Sequence, residues 1–255
     1  MISTNHPYPK LRPIDIQATV QRGQPALLLR DPLQLSGNYV VLPQELGPAL
    51  AMLDGTLDVA GMAEAVMAVY GIVYPDDLLP QLVAVLDDNW MLENARAAEA
   101  HDRALAGYRA APFRPPAMAG QSYPADPAGL RRLFDGYLAQ VNGAGRAAPL
   151  AAGRGVFSPH IDYHRGGPIY AALWQQAAAM ARAADLVILL GTDHYSQGDR
   201  LTLTRQSYAT PYGVLPTDVA LVDALAAAIG PEAAFRGELR HRSEHSLELV
   251  AAWLH

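Results

Sequence analysis

The stretch DLVILLGTDH, residues Asp185–His194, decides the fold class of the second half of the chain. The five apolar residues 186–190 follow one another without a polar interruption, a pattern typical of a strand buried on both faces of a parallel sheet. Gly191 ends the run, and Thr192, Asp193 and His194 follow it. Ligands of open α/β sheets collect beyond the carboxyl ends of the strands, so this stretch predicts both a buried strand and the place of a site.

Around this stretch the pattern alternates between strands and helices. Residues 155–158 predict a short strand that leads into PHIDY, and residues 201–203 predict another. Helical spacing of apolar residues predicts helices over residues 127–141, 167–183, 217–229 and 244–254. The alternation predicts an α/β fold, with a layered sheet and flanking helices.

Two histidines stand directly after two of these strands. His160 follows the strand that ends at Ser158, and His194 follows the strand that ends at Leu190. If the strands are neighbours, both imidazoles lie at one edge of the sheet. Because imidazole is a common ligand of transition metals, His160 and His194 are the predicted metal ligands. The alternative for each histidine taken alone is a role in packing.

Further groups flank the two histidines. Asp193 and Asp162 are predicted as carboxylate ligands, or as acceptors that fix the tautomer of a histidine. His245, within SEHSLE, can reach the same edge from a later loop, although a role in starting a helix is an equal alternative. We take His245, as acid or base, and Asp193 as the catalytic candidates. His241, between Arg240 and Arg242, is predicted to be solvated.

Composition excludes several classes of protein. The 255 residues include 19 Lys and Arg against 25 Asp and Glu. The resulting net charge of −6 argues against a generally basic protein that coats nucleic acid. No run approaches the roughly 18 apolar residues of a membrane span. The chain has no Cys, so a metal must use histidine and carboxylate ligands. We expect a cytoplasmic protein without nucleic-acid or membrane partners. No GxSxG motif supports a serine hydrolase.

The first 93 residues predict a separate module. Residues 1–100 have a net charge of −7 and the rest +1, and residues 94–111 read as a helical and extended linker before the domain at 112–255. Within 1–93, the pattern predicts a hairpin of residues 26–30 and 39–42, helices over 44–53, 59–70 and 76–88, and a closing strand at 90–92. A small α+β winged-helix-like domain fits this order.

This module resembles the PqqD-like domains. The resemblance lies in the hairpin, in ALAMLDGT at residues 49–56, and in the LxxxLxxxW pattern that ends at Trp90. It implies that the module binds a peptide. The alternative is a scaffold or docking domain that uses no peptide groove.

Five blocks after the linker resemble the Memo family, whose fold matches the class III extradiol dioxygenases. In chain order they are RPPAMAGQSYP (114–124), SPHIDY with GG and YA (158–171), LGTDH (190–194), YATP with Gly213 and Asp218 (208–218), and EHSLE (244–248). The resemblance implies that His160 and His194 are metal-site histidines. It also implies that Glu244, His245 and Glu248 border the family's cavity.

The resemblance also implies a function and partners. It suggests a metal-dependent redox or dioxygenase-type enzyme with a divalent transition metal, iron first and copper or zinc as alternatives, working with radical-SAM and AMMECR-like proteins. The alternative is a non-catalytic binding or docking protein that uses the crevice. The sequence ends at His255, within the EHSLE helix and before the family's later strands and third ligand. We therefore expect an incomplete Memo-like domain that another chain completes, or a truncated product.

Overall fold

The computed structural model of the protein describes residues 7–143, 153, 155–196, 198 and 201–255. It divides into two compact units, Met1–Gly107 and Tyr108–His255. We call them the N-terminal unit and the C-terminal unit. No helix in the described ranges is long and apolar enough to cross a membrane.

The N-terminal unit packs helices on a small antiparallel sheet. Its strands are β1 (Asp15–Gln21), β2 (Gln24–Arg30) and β3 (Tyr39–Pro43), in the order β1-β2-β3. A 3-10 turn at Gln44–Leu46 leads into α1 (Gly47–Ala51), followed by α2 (Val59–Tyr70), α3 (Leu78–Asp88) and α4 (Ala95–Ala110), near whose end the division falls. The core is aliphatic, with Leu29, Met62 and Leu86 completely buried.

Local signals explain most of these elements. The Asp58 carboxylate accepts a hydrogen bond from the Gly61 amide at 2.8 Å and so starts α2, and Gly71, at φ 68°, ends it in the left-handed region. The predicted hairpin is confirmed as β2 and β3, with Leu29 opposite Val40. The sequence did not predict β1. The predicted strand at 90–92 is wrong: only an isolated bridge joins Leu92 to Leu11.

The C-terminal unit packs helices around an aromatic core. Its elements are α5 (Pro127–Gly143), α6 (Tyr163–Arg182), the hairpin of β4 (Tyr208–Thr210) and β5 (Gly213–Leu215), α7 (Val219–Ile229), α8 (Pro231–Phe235), a 3-10 turn at Glu238–Arg242, and α9 (Ser246–Leu254). Phe134 of α5 stacks on Trp253 of α9, with ring centroids 3.8 Å apart. Tyr163 and Tyr170 of α6 pack edge to face at 5.1 Å.

The mixed α/β class is confirmed, but not through the strands that the sequence predicted in this unit. Residues 155–158, 185–190 and 201–203 belong to no strand in the described part of the chain. Ile188 and Leu190 are 63% and 82% exposed instead of buried. A strand needs a neighbouring strand to take its backbone hydrogen bonds, and none of the strands in the described residues pairs with these segments.

Candidate metal centre

Three histidine rings lie together in the C-terminal unit. The ring centroids of His160 and His194 are 5.3 Å apart, those of His160 and His245 are 6.0 Å apart, and those of His194 and His245 are 4.6 Å apart. The His194 and His245 rings are stacked at an angle of 18°. The structure therefore brings together the two predicted ligands and one of the two predicted catalytic residues, whose roles stay predictions.

His160 is placed by the start of α6. It ends the extended segment after Ser158, and Asp162 then caps the helix by accepting from the Arg165 amide at 3.1 Å. The same carboxylate also pairs with the Arg165 side chain. Because of this cap, α6 begins at Tyr163, four residues before its predicted start. Asp162 serves the helix and not the histidines, unlike our expectation.

The Glu244 carboxylate binds the ring of His194. Its two carboxylate oxygens lie 3.1 and 3.0 Å from Nδ1 of His194. An ionised carboxylate only accepts, so this contact requires a proton on Nδ1, and in the neutral ring with that tautomer Nε2 carries the lone pair. Burial alone would raise the pKa of Glu244, but the hydrogen bonds from the Ser246 amide and His194 outweigh it and hold the pKa below its ordinary value.

His245 lies directly before α9 and completes the group. Burial lowers its pKa; the charge of Glu244 opposes that shift, and His194 and His160 add to it. One potential ligand atom from each of His194, Glu244 and His245 lies within 4.8 Å of the other two, which is close enough for one metal ion to meet all three.

Ser246 fixes the loop that carries His194. Its Oγ accepts from the Thr192 amide at 3.0 Å and lies 3.2 Å from the Thr192 carbonyl, to which it donates. The loop approaches so closely that a Cβ on Gly191 would lie 2.5 Å from Ser246 Oγ and 2.7 Å from Leu247 Cγ. Glycine is required here by the close approach.

The remaining predicted residues face other partners. The Asp193 carboxylate accepts from Arg240 Nε at 2.7 Å, from Thr202 Oγ1 at 3.3 Å and from the Tyr195 amide at 3.2 Å. It anchors the loop beside His194 and is not part of the close ligand group. Glu248 is completely buried and pairs with Arg114.

The histidines open onto a large cleft of about 1940 Å³. One wall consists of the apolar run 186–190, and Trp174 and Met180 of α6 contribute another. The sequence missed the orienting role of Glu244 and the clamp by Ser246. The signal for both was their position on either side of His245, which placed them at the start of the same helix.

Comparison of the chain with known proteins agrees with the resemblance carried by the five sequence blocks. The sequence profile of the family described as "Memo-like protein" matches residues 114–255. A MEMO1 family protein of Aquifex aeolicus is 26% identical over 246 residues, covering 96% of this chain and 62% of that protein. One of Methanopyrus kandleri is 32% identical over 147 residues, covering 55% of this chain and 50% of that protein. One of Thermus thermophilus is 27% identical, covering 75% and 56%.

The aligned part thus spans between half and about three fifths of the length of these relatives. No solved structure gives a significant match. The PqqD-like resemblance of the N-terminal unit is not confirmed. The profile covers more than half of the chain, including all three clustered histidines and Glu244. The chain belongs to the Memo-like protein family.

Proposed function

We propose that the C-terminal unit binds a divalent transition metal through His160 and His194, with His245 beside them, and serves a metal-dependent redox reaction. The observation that carries the proposal is the convergence of three imidazoles with centroids 4.6 to 6.0 Å apart. Histidines from three separate segments rarely converge at a cleft for packing alone, since each could be replaced there by an apolar side chain.

The donor set suits such an ion. Metal-binding histidines commonly donate a hydrogen bond from the N–H of their second ring nitrogen to a carboxylate, and Glu244 accepts from Nδ1 of His194 in this way. This leaves Nε2 of His194 for the metal, and Glu244 itself is close enough to serve as a ligand instead. Imidazole and carboxylate ligands suit iron, copper and zinc, of which we propose iron first.

When bound, the metal would supply Lewis acidity and redox chemistry to a substrate in the cleft. The chain would supply orientation and proton transfer. His160 and His194 would hold the ion, Glu244 would fix the His194 ring, and His245 would exchange a proton with the substrate as acid or base. The apolar run 186–190 would line the cleft beside these groups. Asp193, through Arg240, would keep the His194 loop in place.

Metal analysis of the purified protein tests this proposal. We expect about one equivalent of transition metal in the wild type and a loss of it in the double variant His160→Ala, His194→Ala. His164→Ala is the matched control, because His164 is an exposed histidine four residues from His160 and outside the cluster. Metal-free wild-type protein after reconstitution, or equal metal in the double variant, would contradict the proposal.

A binding function is the second candidate, and the exposed wall of the cleft favours it. Phe157, Ile188 and Leu190 are 98%, 63% and 82% exposed, an apolar surface suited to a protein or peptide partner. A double histidine variant that keeps its partners and its stability while the wild type contains no metal would favour this function.

We propose a cytoplasmic location with either function, supported by the absence of Cys. As partners we propose radical-SAM and AMMECR-like proteins, and a peptide for the N-terminal unit, supported only by the resemblances. Co-purification of tagged protein with each candidate, compared with the tag alone, tests these partners.

A further inference from the structure

A buried ion pair lies behind the histidine cluster. Arg114 and Glu248 are both completely buried, and Arg114 Nη1 donates to Glu248 Oε2. The removal of both charges from water is unfavourable unless hydrogen bonds satisfy the whole of both groups. The other hydrogen-bond partners of the pair therefore identify the segments that it holds in place.

The Arg114 guanidinium also donates hydrogen bonds to the turn before α9. Nε donates to the carbonyl of His241 at 2.9 Å, and Nη2 donates to the carbonyl of Glu244 at 2.7 Å. Its Cζ also lies 4.7 Å from the centre of the Tyr208 ring. One planar cation thus holds both ends of the turn 241–244.

The Glu248 carboxylate binds the backbone of a second segment, residues 117–118. Glu248 accepts from the amides of Ala117 and Met118, both at 2.8 Å, and from the Tyr123 hydroxyl at 2.5 Å. Met118 is part of the cleft wall. The pair therefore joins the first of the five sequence blocks, which begins at Arg114, to the helix start that carries His245.

A direct line of contacts leads from the cation to the imidazoles. Arg114 holds the backbone of Glu244, the Glu244 side chain holds Nδ1 of His194, and the next residue is His245. We propose that Arg114 is a positioning residue of the histidine cluster: it fixes the turn 241–244 so that Glu244 orients His194. Its role in metal affinity rests on the proposed function, whereas its role in His194 orientation does not.

The variant Arg114→Lys separates positioning from charge. Lysine keeps a cation next to Glu248, but its compact ammonium group cannot reproduce the planar fork that meets two backbone carbonyls and the carboxylate together. Arg205→Lys is the matched control, since Arg205 forms a half-exposed pair with Asp223 in the same unit.

The first readout needs no metal. Nitrogen-15 NMR of the imidazoles reports which ring nitrogen is protonated, and in the wild type we expect the Nδ1–H form of His194 that the Glu244 contact requires. In Arg114→Lys we expect a mixture of tautomers, with the control unchanged. A folded Arg114→Lys with the wild-type His194 signal would overturn the inference.

The second readout is Co(II) binding, followed by its visible spectrum. Loss of a group that orients a ligand typically weakens metal binding about 10- to 100-fold, which is the loss we expect for Arg114→Lys. Equal affinity in a folded variant would overturn the role in metal binding. If the wild type binds no Co(II), the proposed function fails, and the tautomer still decides the role of Arg114.

Glu248→Gln keeps the inference testable if Arg114→Lys does not fold. The amide retains an acceptor for the segment at 117–118 but removes the charge that holds the guanidinium in place. We expect the same direction of change in the His194 tautomer. An unchanged tautomer in folded Glu248→Gln would contradict the inference equally.

Discussion

The two units are stabilised by different kinds of core. In the N-terminal unit the fully buried side chains of large volume are aliphatic or thioether groups, such as Leu29, Met62, Leu86 and Met91. In the C-terminal unit they include Arg114, Glu238 and Glu248. The first kind of core follows from the hydrophobic pattern of the sequence, whereas the second depends on pairing between charges far apart in the chain. The second kind includes Arg114, which contacts the backbone of Glu244 beside the histidine cluster.

The largest expected effect comes from breaking the charged core. Glu248→Ala leaves Arg114 buried without an anion and leaves the amides at 117 and 118 without acceptors. We expect a loss of about 3–5 kcal/mol in the free energy of unfolding of the C-terminal unit. Native-state hydrogen exchange measures this loss unit by unit.

Glu232→Ala is the control, because the Glu232 side chain is 94% exposed on α8 of the same unit. Its effect should stay within about 0.5 kcal/mol. A loss below about 1 kcal/mol for Glu248→Ala would show that the buried charges do not stabilise the unit.

A cavity in the aliphatic core is the corresponding test of the N-terminal unit. Leu86 on α3 is completely buried, so Leu86→Ala removes packed atoms and should cost about 2–5 kcal/mol. Val85→Ala, next to it but 41% exposed, should cost less than about 1 kcal/mol. Urea unfolding followed by circular dichroism compares the two variants. Equal losses would mean that α3 does not pack through the face seen here.

The pH dependence of stability tests the comparison of the two units through His241 of the C-terminal unit. His241 Nε2 donates to the Thr202 carbonyl at 3.1 Å, and its Nδ1 accepts from the Tyr208 hydroxyl at 2.8 Å. Burial lowers the pKa of His241 below the ordinary 6.5, which the Thr202 bond only partly opposes. The unfolded state therefore binds a proton that the folded state excludes.

The direction in which stability changes with pH follows from this difference in proton binding. The stability contributed by neutral His241 is present above pH 6.5 and is lost as the pH falls below it, by at most about 1.4 kcal/mol per pH unit. His241→Gln should be less stable than the wild type at pH 7.5 but should lose less stability between pH 7.5 and 5.5. Urea unfolding at both pH values measures this; equal losses would contradict the buried neutral state.

The smallest effect is expected for the helix N-caps, which the two units form in the same way. Asp58 caps α2 and Asp218 caps α7, each by accepting from the amide three residues later, at 2.8 and 3.0 Å. Each Asp→Ala change should cost about 1 kcal/mol in its own unit. Asp→Asn should restore most of the loss, because asparagine also caps. Hydrogen exchange of the first turns measures both, and a large difference between the units would break the equivalence.

Local signals account for what the sequence predicted correctly. The bounds of α2 follow from Asp58 and Gly71, and the start of α5 follows from Asp126, whose carboxylate accepts from the Gly129 amide at 2.7 Å. The proximity of His160 and His194 also followed from the sequence, because both stand at the ends of apolar segments. That prediction placed both histidines at the edge of one sheet, whereas the described segments that carry them belong to no strand.

Contacts between distant residues account for what the sequence did not predict. The prediction of a solvated His241 was wrong, because the 3-10 turn at Glu238–Arg242 directs its ring toward Tyr208 and Thr202. The burial of Arg114 depends on Glu248, 134 positions later. The strand expected at 185–190 needs a neighbour, and the apolar run alone does not say which segment that is.

X-ray absorption at the edge of the bound metal tests the histidine cluster most directly. Iron-loaded or zinc-loaded wild-type protein should show scattering from at least two imidazoles, reduced in the double variant His160→Ala, His194→Ala and unchanged in His164→Ala. A metal environment without imidazole scattering, or one that the double variant leaves unchanged, would contradict a metal centre at these histidines.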